Sequence, residues 1–103
     1  MAQQLCKLTL VFPPSVEEKI IELLLTADPP LGGFTTWSAD GHGLDFSDAT
    51  VAERVRGRVS RSVMALVIPR SRLPSLLETI RMKVNVPHLA YWVEPVEDFG
   101  RLS

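Results

Sequence analysis

Cysteine is nearly missing from this chain. Cys6 stands alone, which excludes an intrachain disulfide and any Cys-x-x-Cys metal or redox motif. Histidine is scarce as well, and His42 and His88 show no paired-ligand spacing. No apolar run approaches the ~20 residues that a membrane helix needs. The first residues lack a basic segment followed by an apolar stretch and a small-residue cleavage site, so no secretory signal is expected. Neither sign of charge dominates: 11 Lys+Arg against 12 Asp+Glu leave a net charge of -1. Such a balance exerts no broad pull on nucleic acid or anionic lipid. Together these absences predict a cytoplasmic protein that binds no nucleic acid and meets a membrane only through a partner.

Catalytic patterns are wanting too. The chain has no Ser/His/Asp spacing, no paired acids in an apolar setting and no nucleophile beside a base. An acyl-phosphate hydrolase would place an arginine in a glycine-rich loop after the first strand, where Pro13-Pro14 stands instead. RNA-recognition domains stack bases on aromatic side chains of their central strands, and the stretch from Arg58 to Ile68 has none. The chain is read as a non-enzyme.

What is present suits one domain over residues 1–103. The hydrophobic fraction is 46%, and the mean hydropathy of +0.13 is slightly high for a small domain, which points to apolar surface facing a partner. Charge is local. Six arginines and no acid lie between Arg54 and Arg72, whereas Glu17, Glu18 and Glu22, and again Glu94, Glu97 and Asp98, form acidic patches.

Residues 4–12 alternate, with Cys6, Leu8, Leu10 and Phe12 on one face and Lys7 and Thr9 on the other, which predicts a half-buried strand. Ser15 with Glu18 reads as a capping box. Val16, Ile20, Leu23, Leu24 and Ala27 then recur at helical spacing, until Asp28-Pro29-Pro30 stops the helix. A second strand is expected over Phe34–Ser38, a third over Val59–Ile68 and a last over His88–Val93. A second helix starts at Ser71 or Arg72, tolerates Pro74 in its first turn and presents Leu73, Leu77, Ile80 and Val84. Between the second and third strands lies a long loop, residues 39–57. It carries a short helical signal over Val51–Val55 with Ser47 or Asp48 as cap, and loops of this length usually carry function.

Strand, helix, strand, strand, helix, strand is the split βαβ order. Right-handed crossovers place both helices on one face of a four-stranded antiparallel sheet. The expected fold is therefore α+β, ferredoxin-like, with the second sheet face left for solvent or another subunit.

His42, between Gly41 and Gly43 and close to Asp40 and Asp45, can ligate a divalent transition metal; a histidine between glycines is equally an exposed turn residue. His88 reads as a strand-start residue, and Cys6 as a buried, inert thiol. Arg54, Arg56, Arg58 and Arg61 can grip an anion or an acidic partner, guard a strand edge, or pair with Glu94, Glu97 or Asp98 across an interface. Gly57 suggests a bulge or a close backbone approach. Trp37 and Trp92 read as core or interface anchors, and Trp37, Tyr91 and Trp92 are assigned to the interface. Tyr91 and Trp92 must face opposite sides of the sheet, so one of them leaves the helix-covered side.

Several motifs carry a family resemblance. Pro13-Pro14 with Glu17-Glu18, Gly33-Phe34-Thr35, Asp40-Gly41-His42-Gly43, Ala52-Glu53-Arg54-Val55 with Gly57-Arg58, and Tyr91-Trp92-Val93 with Pro95-Val96 follow in order along nearly the whole chain. The sequence thereby resembles a bacterial family of PII-like proteins of unknown function, whose genes often lie beside heavy-metal efflux systems. The resemblance implies a ferredoxin-like trimer, related in shape to nitrogen regulatory PII and CutA proteins. It also implies that residues 39–57 occupy the place of the PII partner-binding loop, which sets Asp40, His42, Asp45, Glu53, Arg54, Arg56 and Arg58 on the contact segment. One departure bears on the cofactor. PII proteins place a glycine-rich phosphate-binding loop before the last strand, but here the connection is Asn85-Val86-Pro87-His88. Backbone N–H groups cradle phosphate where glycine allows close approach, so ATP held in the PII manner is not expected.

The expectation is a small regulatory or binding protein linked to heavy-metal homeostasis, with an efflux protein as its partner and a loop that responds to a metal or anion. The alternatives are a direct metal-binding carrier and a small-molecule module that holds a nucleotide or other anion in the clefts between subunits.

Overall fold

The computed structural model describes residues 4–42 and 57–103. Strand β1 (Leu5–Phe12) leads through a 3-10 turn at Pro14–Val16 into helix α1 (Glu17–Leu25). Strands β2 (Thr35–Gly41) and β3 (Val59–Pro69) follow, then a second 3-10 turn at Arg70–Arg72, helix α2 (Leu73–Lys83) and strand β4 (Ala90–Val96). The sheet order is β2-β3-β1-β4, and all three pairings are antiparallel. This is the expected ferredoxin-like α+β fold.

The alternation in β1 decides where the core lies. Cys6, Leu8, Leu10 and Phe12 are all at or below 1% exposure, and they cluster with Ile20 and Leu24 of α1 and Leu73, Leu76 and Ile80 of α2. Both helices therefore cover one face of the sheet. Opposite Cys6, Leu8 and Leu10 stand Ile68, Leu66 and Met64 of β3, so the central pair forms the floor of the core. Aliphatic side chains buried this deeply contribute roughly 1.5–3 kcal/mol each.

Four details differ from the sequence-based expectation. Ser15 does not cap α1: it lies inside the 3-10 turn, where Val16 N–H donates to the Pro13 carbonyl at 3.1 Å. The helix instead starts on Glu17 and Glu18, whose charges suit the positive end of the helix dipole. In α2 Leu76 joins Leu73 and Ile80 in the core, while Leu77 is only partly covered. Strand β2 runs on to Gly41, so residues 39–41, expected in the loop, pair with residues 59–61. Backbone hydrogen bonding carries this ladder past the end of the core. Finally, β4 runs from Ala90 through Pro95 to Val96, with His88 in the turn before it at φ 65°. An edge strand bonds on one side only and tolerates proline's missing N–H.

Candidate functional site

Two parts of the molecule gather the sequence-predicted site residues: the sheet end where β2 and β3 part, and the sheet face without helices.

At the sheet end Asp40 pairs in register with Ser60, and Ser38 with Ser62. Strand alternation puts these four side chains on the helix side of the sheet. There they line a polar cleft of about 360 Å³ together with Pro14 and Glu17. Arg58 Nη1 lies 3.5 Å from Asp40 Oδ2, both side chains being about half exposed. An exposed pair of this kind positions more than it stabilises. Gly41 lies on the opposite face, where a Cβ would come within 3.1 Å of Arg61 Cγ. Glycine thus leaves room for the arginine stem, whose Nη1 donates to the Ser60 carbonyl at 3.1 Å. Gly57, at φ +72°, holds the left-handed conformation through which the chain enters β3.

Asp40, His42 and Arg58 are exposed at this one end of the sheet. Asp45, Glu53, Arg54 and Arg56, and the helical signal over Val51–Val55, lie outside the described residues. Among the described residues no three His, Cys, Asp or Glu side chains converge to hold a metal ion. His42 is thus present with Asp40 nearby in sequence, but without a third described ligand.

The open face is largely apolar, with Lys7, Arg61 and Glu94 among its side chains. It presents Val11 and Thr9 of β1, Val59, Val63, Ala65 and Val67 of β3, Trp37 of β2 and Trp92 of β4, as the register requires. Trp37 stands opposite Val63, and Trp92 opposite Thr9. The two tryptophans remain 46% and 49% exposed, although their cross-strand partners Val63 and Thr9 are buried. Sequence reading left Thr9 at a solvent-facing position, and the structure buries it. Its Oγ1 has no hydrogen-bond partner among the described residues. Nothing in the strand's alternation signals this, because the two flanking strands supply the cover.

Tyr91, grouped with the tryptophans by sequence, belongs to the helix side, opposite Leu10. There it lines an apolar groove of about 470 Å³ with Leu77, Ile80, Val84, Val86 and Leu89. Sequence reasoning missed this groove, because it placed Leu77 in the buried stripe of the second helix. Arg81 and Glu78 stand on its rim. Arg81 donates to Glu78 through Nε at 3.2 Å and also through Nη2, and this hydrogen bond and charge hold the Glu78 carboxyl below its ordinary range.

A model of the family described as "Protein of unknown function (DUF3240)" matches residues 1–103. The chain belongs to this DUF3240 family. A crystal structure of a DUF3240 family protein from Shewanella baltica OS155 superposes with a TM-score of 0.80 at 18% identity, covering 100% of both chains. CPII, a nitrogen regulatory PII-like protein from Thiomonas intermedia K12 solved with ADP, AMP and bicarbonate, gives 0.70 at 19% identity, over 95% of this chain and 94% of the other. The Bacillus subtilis GlnK–ATP complex gives 0.70 at 17% identity, over 93% and 84%. These likenesses establish a PII-like fold. Among curated proteins none matches.

Proposed function

We infer that this DUF3240 protein is a small regulatory or binding subunit and not an enzyme. It works as a homo-oligomer, a trimer by its family resemblance, and engages a partner through the connection between β2 and β3. One observation carries this reading: Asp40, His42 and Arg58 all stand exposed at the strand ends from which that connection leaves and returns. The apolar sheet face, with two half-exposed tryptophans, supports self-association. No helix among the described residues is long and apolar enough to cross a membrane. A cytoplasmic protein that reaches a heavy-metal efflux system by contact suits both features.

Amide hydrogen exchange of purified protein with and without zinc or copper(II) tests the metal-responsive part. Protection at His42 and Arg58 is expected at saturating metal, and is lost in His42→Ala. Unchanged exchange at saturating metal removes the metal response. The direct carrier reading demands tight stoichiometric metal binding without any partner.

A second reading, a nucleotide- or anion-binding module in the clefts between subunits, draws on one structural detail. His88 takes φ 65°, so the turn before β4 uses a left-handed residue where the chain has no glycine. CPII and GlnK were solved with adenine nucleotides. Thermal stabilisation by ADP, AMP or ATP, and not by metals, favours this reading.

A further inference from the structure

Beyond β4 the chain carries two apolar side chains that its own body leaves bare. Phe99 is 62% exposed and Leu102 108% exposed. These residues follow an edge strand and belong to no strand or helix. Large apolar side chains left bare on one short segment can serve as anchors for a pocket.

The α2–β4 groove is such a pocket. Its wall is Leu77, Ile80, Val84, Val86, Leu89 and Tyr91, and Tyr91 is 56% exposed within it. The groove opens beside β4, and the next residue of that strand, Trp92, belongs to the opposite, open face of the sheet. Groove and open face thus meet at one edge of the molecule. A copy packed against the open face arrives next to the groove.

Charge matches as well. The segment reads Asp98-Phe99-Gly100-Arg101-Leu102, so an acid adjoins the first anchor and a base the second. On the groove rim Arg81 and Glu78, 73% and 55% exposed, pair with each other; an exposed pair costs little to open, so the base and the acid can exchange partners with Asp98 and Arg101. Its own tail is poorly placed for this. Tyr91 pairs with Leu10 and Val96 with Leu5, which separates groove and tail root by about 17 Å of strand. The chain would have to reverse at Glu97, and the three residues from Val96 to Phe99 span only about 10 Å.

We propose that the C-terminal segment of one copy seats Phe99 and Leu102 in the α2–β4 groove of a second copy, locking the oligomer. This rests on the homo-oligomer reading and names a contact within it. Apolar anchors supply the affinity, and the Asp98 and Arg101 charges set the register along the groove.

Cross-linking tests it on the full chain. Leu102→Cys and Leu89→Cys chains with different tags are co-expressed and oxidised; Cys6, fully buried, stays out of reach. A disulfide-linked pair carrying both tags is expected, with a yield roughly tenfold lower when Phe99→Ser is added, the order lost with one buried aromatic anchor. Leu25→Cys, exposed on α1, is expected to give no such pair with Leu102→Cys. Light scattering on the unmodified protein separates the two ideas. An oligomer without the 89–102 link overturns the seating and leaves the oligomer standing; a monomer overturns both. A bond formed within one doubly substituted chain, or equal linking to Leu25→Cys, also overturns the seating.

Discussion

Trp92 donates its indole N–H to Glu94 Oε1 at 3.1 Å, two residues along the same face of β4. The contact holds the ring in place on the open face before any partner arrives. A pre-positioned aromatic side chain loses less freedom on association. Trp92→Ala is expected to weaken self-association by roughly tenfold or more, read by light scattering across a dilution series. Glu94→Gln keeps the acceptor and is expected to leave association nearly unchanged. If Trp92→Ala associates like the unmodified protein, the open face is not the interface.

Thr9 buries a hydroxyl without a described partner. A buried polar group left unpaired costs about 1–3 kcal/mol. Thr9→Val removes the hydroxyl at nearly constant shape and is expected to raise unfolding stability by about 1 kcal/mol. Urea denaturation of dilute protein measures it, with the midpoint rising at constant slope.

Gly57 holds φ +72° at the entry to β3. A Cβ there meets no described neighbour within 4 Å, and the left-handed backbone is what alanine disfavours. Gly57→Ala is expected to cost about 1–2 kcal/mol. Gly33→Ala, with neither positive φ nor a close neighbour, serves as the control and is expected to be neutral or slightly stabilising.

Ile20 is fully buried between α1 and the sheet, whereas Leu25 on the same helix is 70% exposed. Ile20→Ala is expected to cost about 2–5 kcal/mol, and Leu25→Ala to stay within about 0.5 kcal/mol. Thermal or urea unfolding distinguishes them. Similar effects at the two positions would contradict the assigned helix face.

Glu78 titrates below its ordinary value because Arg81 hydrogen-bonds to it and then attracts its charge. A carboxyl with a depressed folded-state pKa contributes stability above its unfolded pKa, and that contribution is lost as pH falls through the folded value. Arg81→Gln is expected to return the Glu78 titration toward the ordinary carboxylate range, followed by NMR of the side-chain carboxyl. Acid sensitivity from this exposed pair is small.

Much of the fold was legible because two periodicities are written plainly in the chain. Alternation through Cys6, Leu8, Leu10 and Phe12 and the helical recurrence of Ile20 and Leu24 each name a buried face without reference to any other element. Local turn chemistry was less reliable. Ser15 carries the right residue type for a cap, yet the chain tightens into a 3-10 turn one residue earlier. His88 adopts a conformation that its residue type does not announce. The site was legible in part. Asp40, His42 and Arg58 do share one end of the sheet, while Tyr91 parts from the tryptophans with which it was grouped.

By itself, the order and spacing of apolar residues determined a strand-helix-strand repeat with one shared core, since burying each stripe leaves few other arrangements. Only the tertiary structure decided that Thr9 is covered, that Tyr91 lines a groove and that Trp37 and Trp92 share an open face. Those outcomes depend on strand register and on neighbours distant in sequence. Shifting a strand by one position exchanges its faces, and no local pattern records which cross-strand partner will supply the cover.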